Sequence, residues 1–281
     1  MTYWEGLDLP NLIFCKIYDI IIIMNKKGSE IVTREEKIME RVKLHYAYAT
    51  QCYGTENVLG VFLYGSQNYN CDNENADVDT KCILLPDLYH LAIKPYETKH
   101  LCIPREGDLE SEVCECMTIM HMVQNWKKQN PNFLEIMFTP FCFVNPDYRF
   151  TWKEFVEGRR EAIARYDVRQ GVMSVAYQAI NTIKQNPMDG KKIGNGYRLM
   201  SLLRAYDAGY PYDDCLKPAN AEWIKELKAG RCSVHEGEAE HLIGYFNNFI
   251  SQYENACVDK NRAIEITLDN FILELLELRM K

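Results

Sequence analysis

Residues 61–85 read VFLYGSQNYNCDNENADVDTKCILL, and this stretch decides how the chain is built. It continues an apolar run, Val58 to Tyr64, that is β-prone and ended by Gly65. A run of that kind bounded by a turn residue predicts a buried strand. Asn68 to Asn75 is polar and turn-rich, which predicts a loop. Val78 to Leu85 then returns to a strand pattern that stops at Pro86.

Asp77 and Asp79 open this second strand. Residues two apart on a strand share a face, so the two carboxylates stand side by side with Val78 turned into the core. Like charges held that close raise one another's proton affinity unless a cation neutralises them. An oxygen-only donor pair suits Mg²⁺ or Mn²⁺, with further positions left for water and substrate phosphates. Gly65 lets the backbone approach a phosphate closely. Ser66 adds a hydroxyl and a backbone N–H for a terminal phosphate oxygen. Lys81 shares the face of Asp79 and either steers phosphate or is an ordinary strand lysine. The bland alternative is a turn followed by a solvated strand edge. Gly-Ser alone carries no weight against it; the buried strand, Gly-Ser, the gap of ten and the same-face aspartates together do.

Outward from this stretch, Thr33 and Glu36 form a capping box ahead of a helix whose Ile38, Val42 and Tyr46 repeat at helical spacing. Residues 87–110 are irregular, a loop or hairpin excursion. Ser111 to Met117 predicts a third strand, followed by a helix to about Gln129 that Asn130-Pro131-Asn132 breaks. Beyond Tyr148, helical periodicity runs through 152–185, 191–208, 221–229, 234–255 and 261–280. Strands early and helices late predict an α+β fold with segregated layers. The expected division is an N-terminal extension at 1–32, a catalytic α+β domain at 33–148 with a small mixed sheet, and an all-helical domain at 149–281.

The pattern hydrophobic-Gly65-Ser66, ten residues, then Asp77-hydrophobic-Asp79 resembles the signature of the DNA polymerase β-like nucleotidyltransferase superfamily. QNPNFLEIMFTP (129–140) and KKIGNGYRL (191–199) further resemble a bacterial and phage group of predicted nucleotidyltransferases. The resemblance implies that Asp77 and Asp79 hold Mg²⁺ or Mn²⁺ and that Gly65 and Ser66 hold a nucleoside triphosphate. It also implies a third carboxylate on a neighbouring strand, which completes the metal site and helps deprotonate the acceptor. Glu110, Glu112 and Glu115 compete; Glu115, set between apolar Cys114 and Cys116, is favoured and Glu112 is the alternative. Arg198, and less firmly Lys192, become nucleotide or phosphate contacts by resemblance. Gly196 stands where the related pattern often has histidine. Glu135, inside the apolar run NFLEIMF, calls for a cationic partner.

Composition sets the outer limits. The chain has 281 residues, 47% hydrophobic and 26% charged, enough for a sizeable core. A net charge of -8 argues against a surface that grips nucleic acid everywhere. The eleven cysteines show no Cys-x-x-Cys pair, so they predict buried thiols in a reducing cytoplasm, with neither a disulfide framework nor zinc. Leu12 to Met24 is apolar but shorter than the roughly 20 residues a membrane span needs, and Lys16 and Asp19 interrupt it.

The expected activity is transfer of a nucleoside monophosphate to an acceptor hydroxyl with release of pyrophosphate. An RNA end, a protein side chain and a small molecule all remain open as acceptor. A second reading is a catalytically silent, antitoxin-like binding module of the same fold, and a third is a phosphatase or nuclease built on the same carboxylates.

Overall fold

The first strand needs no alternation of polar and apolar residues because both of its faces are covered. In the computed structural model, which describes residues 33–72, 76–105, 111–256 and 260–280, β1 (Val58–Leu63) is buried along its whole length. It lies inside a five-stranded mixed sheet with β2 (Thr80–Leu84), β3 (Thr98–Pro104), β4 (Ser111–Thr118) and β5 (Cys142–Val144), in the order β3-β4-β2-β1-β5. The β2–β4 pair is parallel and the other three are antiparallel. Residues 87–110, read as irregular, contain a short helix α2 (Leu88–Ile93) and the edge strand β3, which forms a hairpin ladder with β4.

The period of two along the strands divides the core. Val61, Leu63, Val78, Cys82, Cys114 and Cys116 pack with Ile38, Val42 and Ala49 of α1 (Arg34–Tyr53). Phe62, Ile83 and Met117 face the opposite way, joined by Leu59 where a register shift between Val58 and Gly60 interrupts the period, into a larger core that includes most of the later helices. Those helices are α3 (Ile119–Lys127), α4 (Pro131–Leu134), α5 (Arg149–Ala164), α6 (Val168–Gln185), α7 (Gly190–Asp207), α8 (Tyr212–Cys215), α9 (Ala221–Lys228), α10 (Glu238–Tyr253) and α11 (Arg262–Arg279). Aromatic rings bridge sheet and helices: Phe62 lies 4.6 Å from Trp152, and Phe155 stacks on Phe271 at 3.7 Å. The fold is therefore α+β, sheet first and helices after.

The helical stretch read as continuous over 152–185 breaks between α5 and α6. Asp167 caps the second helix by accepting from the Gln170 N–H at 2.9 Å. The chain divides into two compact units, Met1–Lys37 and Ile38–Lys281. Of the first, only residues 33–37 are described, and they carry the expected capping box: the Thr33 N–H donates to Glu36 Oε2 at 2.8 Å and the Glu36 N–H to Thr33 Oγ1 at 3.2 Å. The second unit holds both the sheet and the later helices. The apolar segment Leu12 to Met24 lies outside the described residues. Among the described residues, no helix is long and apolar enough to cross a membrane. Cys71, Cys82, Cys114, Cys116 and Cys215 are buried free thiols, whereas Cys52 and Cys102 are exposed.

Candidate active site

The bend at the end of β1 comes first. Gly65 has φ +84° and ψ −156°, a conformation in which a side chain would be strained. A 3₁₀ turn, Ser66–Tyr69, follows directly. The Cys71 N–H closes it on the Ser66 carbonyl at 2.9 Å, and the Tyr64 N–H donates to the Asp79 carbonyl at 3.1 Å. The bend is thereby tied to the start of the second strand. A Cβ placed on Gly65 would sit 3.6 Å from Asp79 Oδ2, so the glycine backbone and this carboxylate are near neighbours.

Regular pairing of β2 begins at Thr80, one residue after Asp79. Asp77, Val78 and Asp79 therefore occupy an extended lead-in and not the strand proper. The alternation survives there: Asp77 is exposed, Val78 buried and Asp79 part-buried. Two side chains fix this lead-in. Gln67 Nε2 donates to the carbonyls of Ala76 and Asp77 at 2.9 and 3.1 Å, and Glu112 Oε1 accepts the Val78 N–H at 3.3 Å. Burial, and then the charge of Asp77, raises the proton affinity of Asp79; Lys191 and Lys81 oppose the rise. Asp77 itself meets Arg105 at 3.1 Å.

The glutamates separate by face. Glu112 lies on the α1 side of the sheet, where it accepts from Arg41 Nε at 2.8 Å and contacts His45 Nε2 at 3.0 Å. That places it across the sheet from the two aspartates. Glu115 lies on their side, in register with Lys81 on the parallel neighbour β2, and the two side chains form an ion pair. Glu110 lies outside the described residues. Among the described residues, no three His, Cys, Asp or Glu side chains converge as a metal-ligating group.

Lys81 is buried, its Nζ 4.0 Å from the Tyr64 ring centroid and 4.4 Å from that of Phe133. Burial pulls its proton affinity down, while Glu115 opposes this. Tyr64 lies among Asp79, Glu115 and Glu135, and burial with those charges raises its phenol.

Basic side chains come from the helices. Lys191, in the first turn of α7, is close enough for its charge to act on Asp79. Lys192 instead donates to Gln185 Oε1 at 3.0 Å. Lys225 and Lys228 of α9 hold the loop after Ser66: Lys225 donates to Asn70 Oδ1 and Lys228 to the Cys71 carbonyl, each at 3.3 Å. Burial, then Arg198, pushes Lys228 down to about 8. Arg198 is buried, bonded to Asn195 Oδ1 at 3.0 Å, with its guanidinium 4.3 Å from the Tyr69 ring centroid. Sequence reading missed Lys191, Lys225 and Lys228; the available signal was Lys225 and Lys228 three apart on one helix face.

Glu135 is fully buried behind the bend, and its Oε1 accepts from the Gly65 N–H at 3.3 Å. The expected cation is Arg198, whose charge reaches Glu135 although no ion pair joins them. Gly196 is explained by packing. A Cβ there would lie 2.9 Å from Ile183 Cδ1 and 3.1 Å from Leu242 Cδ1, so α7 meets α6 and α10 too closely for a larger residue.

No protein-family model matches this sequence, and no curated protein matches it. The likeness to nucleotidyltransferases therefore stands on Gly65-Ser66, on Asp77 and Asp79, and on what surrounds them.

Proposed function

We propose that this chain is a divalent-metal-dependent nucleotidyltransferase that moves a nucleoside monophosphate from a nucleoside triphosphate to an acceptor hydroxyl. One observation carries the reading: the Asp79 carboxylate lies against the Gly65 bend, and the charges of Asp77 and Lys191 both act on it, in opposite senses. Acidic and basic groups thus meet at a backbone bend suited to phosphate.

The donor set fits a hard divalent cation. Asp77 and Asp79 offer only oxygen, and the charge of Asp77 adds to burial in raising Asp79's proton affinity, a rise that a cation beside them would oppose. Asp77 and Asp79 are the residues that would hold it. When bound, Mg²⁺ or Mn²⁺ would neutralise phosphate charge and orient the triphosphate.

The protein's own groups supply the rest. Ser66 offers its hydroxyl and N–H to the phosphates, and Gly65 removes the side chain that would crowd them. Lys191, Lys225 and Lys228 supply positive charge for the polyphosphate, and Arg198 supports the turn through Tyr69. The acceptor oxygen bonds to the α-phosphorus, the bond to the β-phosphate's bridging oxygen breaks, and pyrophosphate departs. Glu115, part-exposed on the same face, receives the acceptor proton. Catalysis on this reading is chiefly positioning and charge neutralisation.

A second reading, the silent binding module, draws on specific contacts. Glu115 is engaged by Lys81 and Asp77 by Arg105, as expected of a site that no longer turns over. The two are separated by incubating the protein with labelled nucleoside triphosphates, Mg²⁺ and a broad acceptor panel. Pyrophosphate release that Asp77→Ala/Asp79→Ala abolishes supports the enzyme. Nucleotide retention without release supports the module, and neither result refutes both.

A further inference from the structure

A lysine at 2% exposure needs an account, because an ammonium buried without compensation is costly. Lys81 is compensated on every side. Glu115 meets it from β4 through the parallel register, and the Tyr64 and Phe133 rings cover it at 4.0 and 4.4 Å. Phe133 is itself backed by His121, stacked at 6.0 Å, whose Nδ1 is 2.7 Å from Thr98 Oγ1. The ammonium is therefore held in one place beside Asp79, two residues earlier on the same face.

Holding β2 to β4 does not require this arrangement. A well-packed apolar pair of similar volume is often as stabilising as a buried ion pair. What the pair does is electrostatic. It occupies Glu115, the one described glutamate of β4 on the aspartates' face, and sets a fixed positive charge where another cation would have to approach. Within the sheet and its lead-in, Asp77, Asp79 and Glu115 against one ammonium leave two negative charges, the complement of a single divalent cation; Lys191, which also acts on Asp79, comes from α7 and is left for the polyphosphate. Arg105 on Asp77 does not change this balance, because the Asp77 side chain is 53% exposed and an exposed pair is readily exchanged.

We propose that the Lys81 ammonium is a built-in cation of this centre, keeping Glu115 from acting as a metal ligand, so that the site takes one divalent cation with its nucleotide and not two. This rests on the nucleotidyltransferase reading and goes beyond it, since paired-carboxylate phosphoryl-transfer sites commonly hold two metals.

The test counts metal. The full-length protein, saturated with a non-hydrolysable nucleoside triphosphate, is equilibrium-dialysed against Mn²⁺, and bound Mn²⁺ is quantified by electron paramagnetic resonance. One Mn²⁺ per chain is expected. Two per chain overturns the proposal while leaving the nucleotidyltransferase reading standing; no Mn²⁺ and no retained nucleotide overturns both. In Lys81→Met the carboxylate of Glu115 is released, and the count is expected to rise to two. A folded Lys81→Met protein that stays at one shows that Glu115 is no withheld ligand and overturns the proposal. Lys81→Arg keeps the charge and is expected to remain at one; a second Mn²⁺ there overturns it as well. If Lys81→Met does not fold, the wild-type and Lys81→Arg counts still decide.

Discussion

Replacing Glu112 by alanine tests whether the sheet's hidden face sets the geometry of the aspartates. Glu112 is 3% exposed, and its carboxylate is met by the Val78 N–H at 3.3 Å, His45 Nε2 at 3.0 Å and Arg41 Nε at 2.8 Å. Arg41 is partly exposed and keeps a bond to the Pro104 carbonyl at 3.1 Å, so it can turn towards solvent. His45 and the Val78 amide cannot, because both are buried. Two buried donors left without an acceptor cost about 1–3 kcal/mol each. The expected loss is therefore about 4 kcal/mol, within the roughly 3–5 kcal/mol typical of breaking a buried pair. At about 2–4 °C per kcal/mol for a protein of this size, Tm should fall by about 8–16 °C.

The loss should also depend on pH. Burial would lower His45, but hydrogen bonding to Cys114 and Glu112 overrides it, and its pKa is raised above the ordinary 6.5. Its stabilisation is fully present below that value and is lost as pH rises through the folded-state pKa. Burial would raise Glu112, but His45 and Arg41 override it, and its pKa is lowered from the ordinary 4.5. Its stabilisation is present above 4.5 and is lost as pH falls through the depressed value. The gap in Tm between wild type and Glu112→Ala should therefore be widest between pH 4.5 and 6.5 and narrow on either side. Circular-dichroism melts across pH 4–8.5 measure it. A drop under about 2 °C, flat with pH, would refute the clamp.

Three further substitutions probe the site more directly. Ser66→Ala removes a hydrogen bond to a charged group, worth about 1.5–3 kcal/mol, so nucleotide-dependent turnover should fall about 10–150-fold with little change in Tm; unchanged kcat/KM removes Ser66 from the phosphate site. Lys191→Ala should raise the KM for the triphosphate about tenfold, an effect that added salt shrinks, whereas Lys192→Ala should leave KM within twofold; the reverse order would show that the phase of α7 is misread. Gly196→His should destabilise by about 1–3 kcal/mol through overpacking against Ile183 and Leu242, seen as a lower urea midpoint at unchanged m; a neutral result would mean the α6–α7–α10 contact relaxes freely.

What the sequence reveals of this molecule follows the range of the interactions involved. β1, β2 and β4 were legible because a buried strand writes its environment into consecutive residues. Edge strand β3 was not, since most of Thr98–Pro104 faces solvent and shows no clean apolar period. The proximity of Gly65 and Asp79 was legible as a local motif. The partners of Glu112 and Glu115 were not, because their odd spacing along β4 sends them to opposite faces, and the lysine or arginine each meets lies on another element. Lys191 and Lys192 differ only by the helical phase that the Asp189 cap sets, which a sequence period does not fix to one residue. Lys225 and Lys228 reach Asn70 and Cys71 across more than 150 positions, beyond any local pattern.

The bend and the helices share one further device, centred on Glu135. Burial, opposed by Arg198 and the Gly65 N–H, lifts this carboxyl to about 8. Glu135 is then largely protonated at neutral pH, still able to accept from Gly65 through Oε1, while Oε2 has no partner among the described residues. A carboxyl whose folded-state pKa is raised from the ordinary 4.5 stabilises the fold below that pH and loses its contribution as pH climbs through about 8. Ionisation there would place a charge directly behind the glycine that approaches Asp79, drawing Arg198 towards it and away from Tyr69. The bend's conformation and the seating of α7 are thus linked through one buried proton. Glu135→Gln, neutral at every pH and of the same shape, should keep the fold and remove the stability lost by the wild type between pH 4.5 and about 8; a variant whose Tm falls as steeply over that interval would place the titrating group elsewhere.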